Sequence, residues 1–335
     1  MTDSENDWKI FIGDGRSPHE NLKHLPDPPP WRFSRPPNPL ALPQGIDVNR
    51  EAHRAAPFIP NDEMVIAVNA ALYLRRPLLI TGKPGTGKST LISKVAHELK
   101  LGPVIRWPIT SRSTVREGMY EYDAVGRLQA SKHGEPPVEA YLKLGPLGTA
   151  LLAENWPRPL LIDEIDKSDL DFANDLLNVI EEGEYEIPEL RRLKDPLVKV
   201  RDFFGEEVEI QGGRIVCGQF PFVVMTSNAE REFPPPFLRR CVRLNIQQPT
   251  PEELANIVRS HLAKYPKALA SEAVSELIDK FDLRRKDNQE VSTDQLLNAV
   301  FLTVAMREQA ERSFSKEELD ALRENLLRQL SGSMA

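Results

Sequence analysis

The run Leu78-Leu79-Ile80-Thr81-Gly82-Lys83-Pro84-Gly85-Thr86-Gly87-Lys88-Ser89-Thr90 restricts the fold more than any other part of the chain. An apolar segment introduced by Pro77 ends in Gly82, and residues 82–89 fit G-x-x-x-x-G-K-S. Leu91, Ile92, Val95, Ala96 and Leu99 then recur at helical spacing. The order is strand, glycine-rich turn, helix. Glycines let backbone N–H groups converge on an anion, and the new helix adds its positive N-terminal end. In such a loop Lys88 reaches the β and γ phosphates of a nucleotide and the Ser89 hydroxyl holds Mg²⁺. Gly82, Lys83, Pro84, Gly85, Thr86, Gly87 and Thr90 complete the cradle. A chance glycine-rich turn would need neither the buried strand before it nor the amphipathic helix after it.

At 335 residues, 40% of them hydrophobic, the chain has material for about two domains with real cores. A net charge of -7 argues against a broad nucleic-acid surface, which needs clustered Lys and Arg. Cys217 and Cys241 are far apart and in no metal-ligand spacing, so both read as small core residues. Met1 to Asp7 carries neither a basic nor an apolar leader, and no run approaches a membrane span, so a cytoplasmic protein is expected.

Prolines recur from position 18 to 60, which predicts an extended Pro-rich arm over residues 1–57, its later part packing on the core through aromatic side chains. Residues 58–247 read as an α/β nucleotide-binding domain with hairpin insertions, and 248–335 as a helical domain. Asn61 should cap the first helix, and Pro103 to Trp107 supplies the next strand, giving a βαβ unit and a parallel sheet. Residues 126–144 alternate like a hairpin turning near His133 to Pro137, and residues 185–218 like further hairpins.

Pro159 to Ile162 is a second buried strand, ending in Asp163 and Glu164. Neighbouring side chains on a strand point to opposite faces, so the acids should differ in role: Asp163 for Mg²⁺, Glu164 for the attacking water. The bland alternative is two solvated acids. Asp169 should cap a helix that Gly183 ends. Phe222 to Ser227 is another buried strand, followed by the short amide of Asn228. The prolines at 234–236 should hold their segment out of helix and project Arg239 and Arg240. From Gln248 the texture is helical, with capping boxes at Thr250–Glu253, Ser292–Gln295 and Ser315–Glu318, the last opening Leu319, Leu322, Leu326 and Leu330.

Phosphate loop, Asp-Glu strand end, Asn strand end and a following Arg, then a helical lid, is an order that resembles AAA+ ATPases. Leu161 to Ser168 and Thr226 to Cys241 look like the MoxR and dynein-related branch, and the resemblance spans roughly residues 58 to 310. It implies ATP and Mg²⁺ as ligands and Gly82 to Ser89 as Walker A. Asp163 and Glu164 would be Walker B, Asn228 sensor 1 and Arg240 the arginine finger, with Arg239 the fallback. It further implies a homo-oligomer, a hexameric ring, that remodels partner proteins, often beside a protein with a von Willebrand A domain. The chain departs from the AAA+ pattern at Asn288 to Thr293, where no sensor 2 Arg stands; Arg284, Arg285 and Lys286 are nearby substitutes.

Two other functions remain open: a restriction-type motor acting on nucleic acid, using GTP and local contacts such as Arg191, Arg192 and Lys194, or a slow nucleotide-regulated switch of a defence system. Asp166-Lys167-Ser168-Asp169 resembles a guanine-reading motif but directly continues the Asp163-Glu164 strand, where Asp169 has a capping role. Small-molecule kinases share the loop but lack the Asn228 and Arg240 arrangement.

Overall fold

The computed structural model describes residues 8–15, 18–32, 38–41, 50–131, 136–269, 271–286 and 291–308. The chain divides into two compact units. One comprises residues 1–55, 59–81 and 89–244; the other comprises 56–58, 82–88 and 245–335.

The first unit contains the strands β1 (Leu78–Thr81), β2 (Ile105–Pro108), β3 (Tyr120–Tyr122), β4 (Leu142–Leu144), β5 (Pro159–Asp163), β6 (Glu184–Glu186), β7 (Leu197–Arg201), β8 (Glu207–Gln211), β9 (Arg214–Val216), β10 (Phe222–Ser227) and β11 (Val242–Asn245), the last crossing its boundary by one residue. The main sheet has the order β11-β1-β10-β5-β2, and β1–β10, β10–β5 and β5–β2 pair in parallel. Thr81 lies opposite Ser227, Met225 opposite Ile162, and Pro108 opposite Asp163, so these strands finish at one edge. Parallel pairing requires crossovers, and helices such as Lys88–Glu98 after β1 and Leu170–Glu182 after β5 provide them. As the sequence predicts, Asn61 and Asp169 cap their helices by accepting from Met64 N and Phe172 N, and Gly183 closes the second at φ 66°.

The insertions build a second sheet, β3-β4-β7-β8, in which β7 and β8 form the expected antiparallel hairpin. Residues 126–144 differ from expectation. Asp123 accepts from Gly126 N at 2.7 Å and starts the helix Ala124–Ala130, and the antiparallel partners are β3 and β4. No residue of that helix is buried, so its alternation carried no burial signal. The turn expected at 133–135 lies outside the described residues. The prolines before Arg239 also behave differently: Pro235–Leu238 is a single helical turn with Pro235 in its first position. There the missing N–H costs nothing, because the first helical amides have no intrahelical partner.

In the N-terminal arm Ile10, Phe11, Leu22 and Leu25 are buried, as are Glu51 and Ala55 near its end, while Trp31 is 81% exposed. Phe33 lies outside the described residues. Asn69, fully buried on the helix Asp62–Leu74, accepts from Ile10 N and Phe11 N and donates to Phe11 O. Buried Glu98 accepts from Ile12 N, Gly13 N and His19 Nε2. Asn69 and Glu98 thus find the partners that burial demands.

The second unit carries the helices Pro251–His261, Pro266–Leu269, Glu272–Lys286 and Thr293–Glu308 around Leu254, Val258, Leu277, Phe281, Leu296 and Val300. The boxes at Thr250–Glu253 and Ser292–Gln295 form as expected. The third, with Leu319 to Leu330, lies outside the described residues. Among the described residues no helix is long and apolar enough to cross a membrane.

Candidate nucleotide site

The loop 82–88 belongs to the second unit and leaves the carboxyl end of β1. Lys88, only 7% exposed, turns back so that Nζ donates to the carbonyls of Gly82 at 2.6 Å and Lys83 at 3.0 Å. Thr86 Oγ1 donates to Lys83 O, tightening the same turn. Gly85 and Gly87 have φ of 75° and 83°, a region that a Cβ disfavours. Space forbids one as well: a Cβ on Gly85 would lie 2.8 Å from Ser292 Cβ, and one on Gly87 2.8 Å from the Phe58 ring. The start of the helix Thr293–Glu308, where a sensor 2 Arg is absent, thus lies against the loop as backbone and a serine. Of the nearby cations, Arg285 Nη1 donates to Pro249 O at 2.9 Å and Lys286 pairs with Asp282 at 2.7 Å.

In the first unit, the sheet edge gathers the expected residues. Asp163 Oδ1 accepts from Ser89 Oγ at 2.7 Å and from Thr226 Oγ1 at 2.5 Å. Thr226 Oγ1 also accepts from Glu164 N at 3.0 Å, so one hydroxyl ties β10 to both acids' backbone or side chain. β5 stops at Asp163, and Glu164 adopts φ 59°, ψ 48°. The two carboxylates therefore part company through a left-handed turn, which costs a non-glycine residue about 1–2 kcal/mol, and not through the pleat of a continuing strand. Asn228 Nδ2 lies 3.4 Å from Glu164 Oε1, and Lys167 Nζ 2.5 Å from Oε2. That bond with Glu164 raises the Lys167 pKa. A carboxylate so placed can accept a proton from water, and the adjacent amide can orient what it binds.

Arg240 stands apart from this edge in its bonding. Its Nη1 donates to Asn178 Oδ1 at 3.0 Å and its Nε lies 3.5 Å from Glu181 Oε2, both on the helix Leu170–Glu182. Arg239 is exposed, and its carbonyl accepts from Arg76 Nη1 at 3.0 Å.

Sequence reasoning missed Thr226, Asp166 and Lys167. Asp166, 3% exposed, accepts through Oδ2 from Asn228 N at 2.9 Å and Glu230 N at 3.1 Å, and so fixes the loop that carries Asn228. Its signal was available: an acid just past a buried strand, beside another strand end with unpaired amides. Nothing local pointed to the Arg240 partners, which lie some 60 positions away. Glu164, Asn228 and Asp163 are brought together with Ser89; Lys88 is held with Gly82 and Lys83.

The family description "AAA domain (dynein-related subfamily)" matches residues 77–241, from the residue before β1 to the one before β11. No curated protein is similar enough to the chain to count as a relative. The parallel sheet with its glycine-rich loop, the paired acids at its edge and this match agree, and residues 77–241 belong to the dynein-related subfamily of AAA domains, a family of nucleotide-dependent ATPases.

Proposed function

We propose that the chain binds ATP with Mg²⁺ and hydrolyses it as a homo-oligomeric ring, and that hydrolysis drives structural change in partner proteins. The observation that carries this reading is the junction at the edge of β5, where Asp163 Oδ1 is shared by Ser89 and Thr226 and Glu164 follows within 3.4 Å of the Asn228 amide. Ser89 and Asp163 offer hard oxygen donors, which suit an ion held by one or two protein groups together with phosphates. They would hold Mg²⁺, whose charge, when bound, offsets that of the phosphates. Lys88 supplies a point charge for the β and γ phosphates, and the loop amides from Gly82 to Thr90 surround them. Glu164 takes the proton of the attacking water, Asn228 orients it, and Arg240 of a neighbouring copy meets the charge on the transferred phosphoryl group. The net charge of -7 favours proteins over nucleic acid as the partners acted on, and a von Willebrand A-domain protein is the partner class that the MoxR resemblance suggests.

Replacing Glu164 by Gln keeps the shape and removes the base. The variant is expected to retain ATP, to lose at least about 100-fold in turnover, and to grow in particle size when ATP is added. Near-normal turnover would remove Glu164 from the reaction, and an unchanged monomer would remove the ring.

One contact favours a second reading, a slow nucleotide-regulated switch: the Lys167 ammonium already engages Glu164 at 2.5 Å. That ion pair occupies a carboxylate oxygen which a water proton would otherwise reach. Lys167→Ala should raise turnover several-fold if the chain is such a switch and leave it level or lower if it is a motor.

A further inference from the structure

Around the end of the helix Leu170–Glu182, Glu181 is shared by two arginines from distant parts of the sequence. Its Oε1 accepts from Arg32 Nη1 at 3.2 Å, and its Oε2 lies 3.5 Å from Arg240 Nε. Arg32 is the last described residue of the N-terminal arm segment 18–32, and its side chain is 9% exposed. It is pinned on its other edge, with Nε donating to Arg75 O at 2.8 Å and the guanidinium lying 5.0 Å from the Phe220 ring centre. Burial lowers the Arg32 pKa, and the Glu181 charge counters that effect. The Cys241 thiol beside this cluster is pushed up to about 12 by burial, so it stays neutral and does not compete for the arginines.

We infer that Glu181 is a positioning residue for Arg240, and that Arg32 of the arm fixes Glu181 in turn; the inference rests on the reading of Arg240 as an arginine that acts on a neighbouring copy. A free arginine side chain has about 2 kcal/mol of rotamer entropy, and one that must meet a phosphate across a subunit boundary is faster if that freedom is already spent. Among the described residues, Arg240 is engaged by Glu181 at Nε and by Asn178 at Nη1, which leaves Nη2 and a further Nη1 hydrogen as donors for an anion. Its backbone is also fixed, because Arg76 holds the preceding carbonyl. The arm thereby reaches the reacting phosphate of the next copy through a chain of two ion pairs.

The test is a kinetic cycle on the full chain with ATP and Mg²⁺. Arg240→Ala is expected to lose about 10³-fold in kcat. Glu181→Ala should lose about tenfold in kcat with KM unchanged, within the range that a misaimed catalytic group costs. In the Arg240→Ala background the Glu181 change should add nothing. Glu181→Gln, which keeps an oxygen acceptor of the same shape, should recover part of the loss, and it carries the cycle if Glu181→Ala melts early. Arg32→Lys should lose about as much as Arg32→Ala, because an ammonium cannot bond Glu181 and Arg75 O in one plane. Full kcat in both Glu181 variants, or losses that multiply with that of Arg240→Ala, overturns the inference and leaves the role of Arg240 intact. Full kcat in Arg240→Ala itself overturns the reading beneath it and the inference together.

Discussion

The two larger sheets of the first unit handle polar groups in opposite ways. In the main sheet β10 is buried along its whole length and β5 up to its final Asp163, so the strands have no polar face to offer. In the insertion sheet burial alternates, with Val198 and Val200 inward on β7 and Leu197, Lys199 and Arg201 outward. Where both faces are covered, polar residues are forced to the strand ends, and aligned registers bring those ends together at a single edge. Where one face meets water, polar residues spread along the strand and meet only their cross-strand neighbours, as Lys199 meets Glu207 at 3.8 Å. Concentrated chemistry is thus a by-product of complete burial.

Four substitutions press on that contrast. Lys88→Ala, in the loop that β1 feeds, should abolish ATP binding measured by titration calorimetry; unchanged affinity would detach the loop from the chemistry of the edge. Asp166→Ala should slow turnover about tenfold and lower the melting temperature, because the two amides it accepts from lose a charged partner, at about 1.5–3 kcal/mol per bond. A stable, fully active variant would show that the edge needs no such anchor. Ile210→Ala, in the insertion sheet, removes a side chain that is 1% exposed and should cost about 2–5 kcal/mol in denaturant titration while leaving kcat per folded molecule level. A large fall in kcat instead would mean that the second sheet shares in the reaction. Lys199→Ala should change stability by less than about 0.5 kcal/mol, since its ion pair is 63% and 70% exposed.

The main sheet was legible because its signals are local: an apolar run, then a polar residue, repeated at Thr81, Asp163 and Ser227. The caps at Asn61, Asp169 and Thr250 were legible for the same reason, since each bond closes within three residues. The helix Ala124–Ala130 was not, because with no buried face its pattern answers to nothing in the fold. The one-turn helix at Pro235 was missed by treating proline as a breaker everywhere, when its first-turn position is permitted. Asp166 and Glu181 act across separations of about 60 and 150 residues, and no window of sequence contains both partners.

The attachment of residues 10–13 and of His19 has a practical side. A recombinant chain begun at Pro60 or Pro77 looks like a sensible trim to the recognised domain. Cut at Pro60, it keeps Glu98 but strips away the amides of Ile12 and Gly13 and the His19 ring, and opens to solvent the surface that Ile10 and Phe11 cover. Cut at Pro77, it also discards the helix that carries Asn69. Poor yield or clumping of such a trimmed protein would report on the missing strap, and an inactive preparation of it would say nothing about the catalytic power of the intact one.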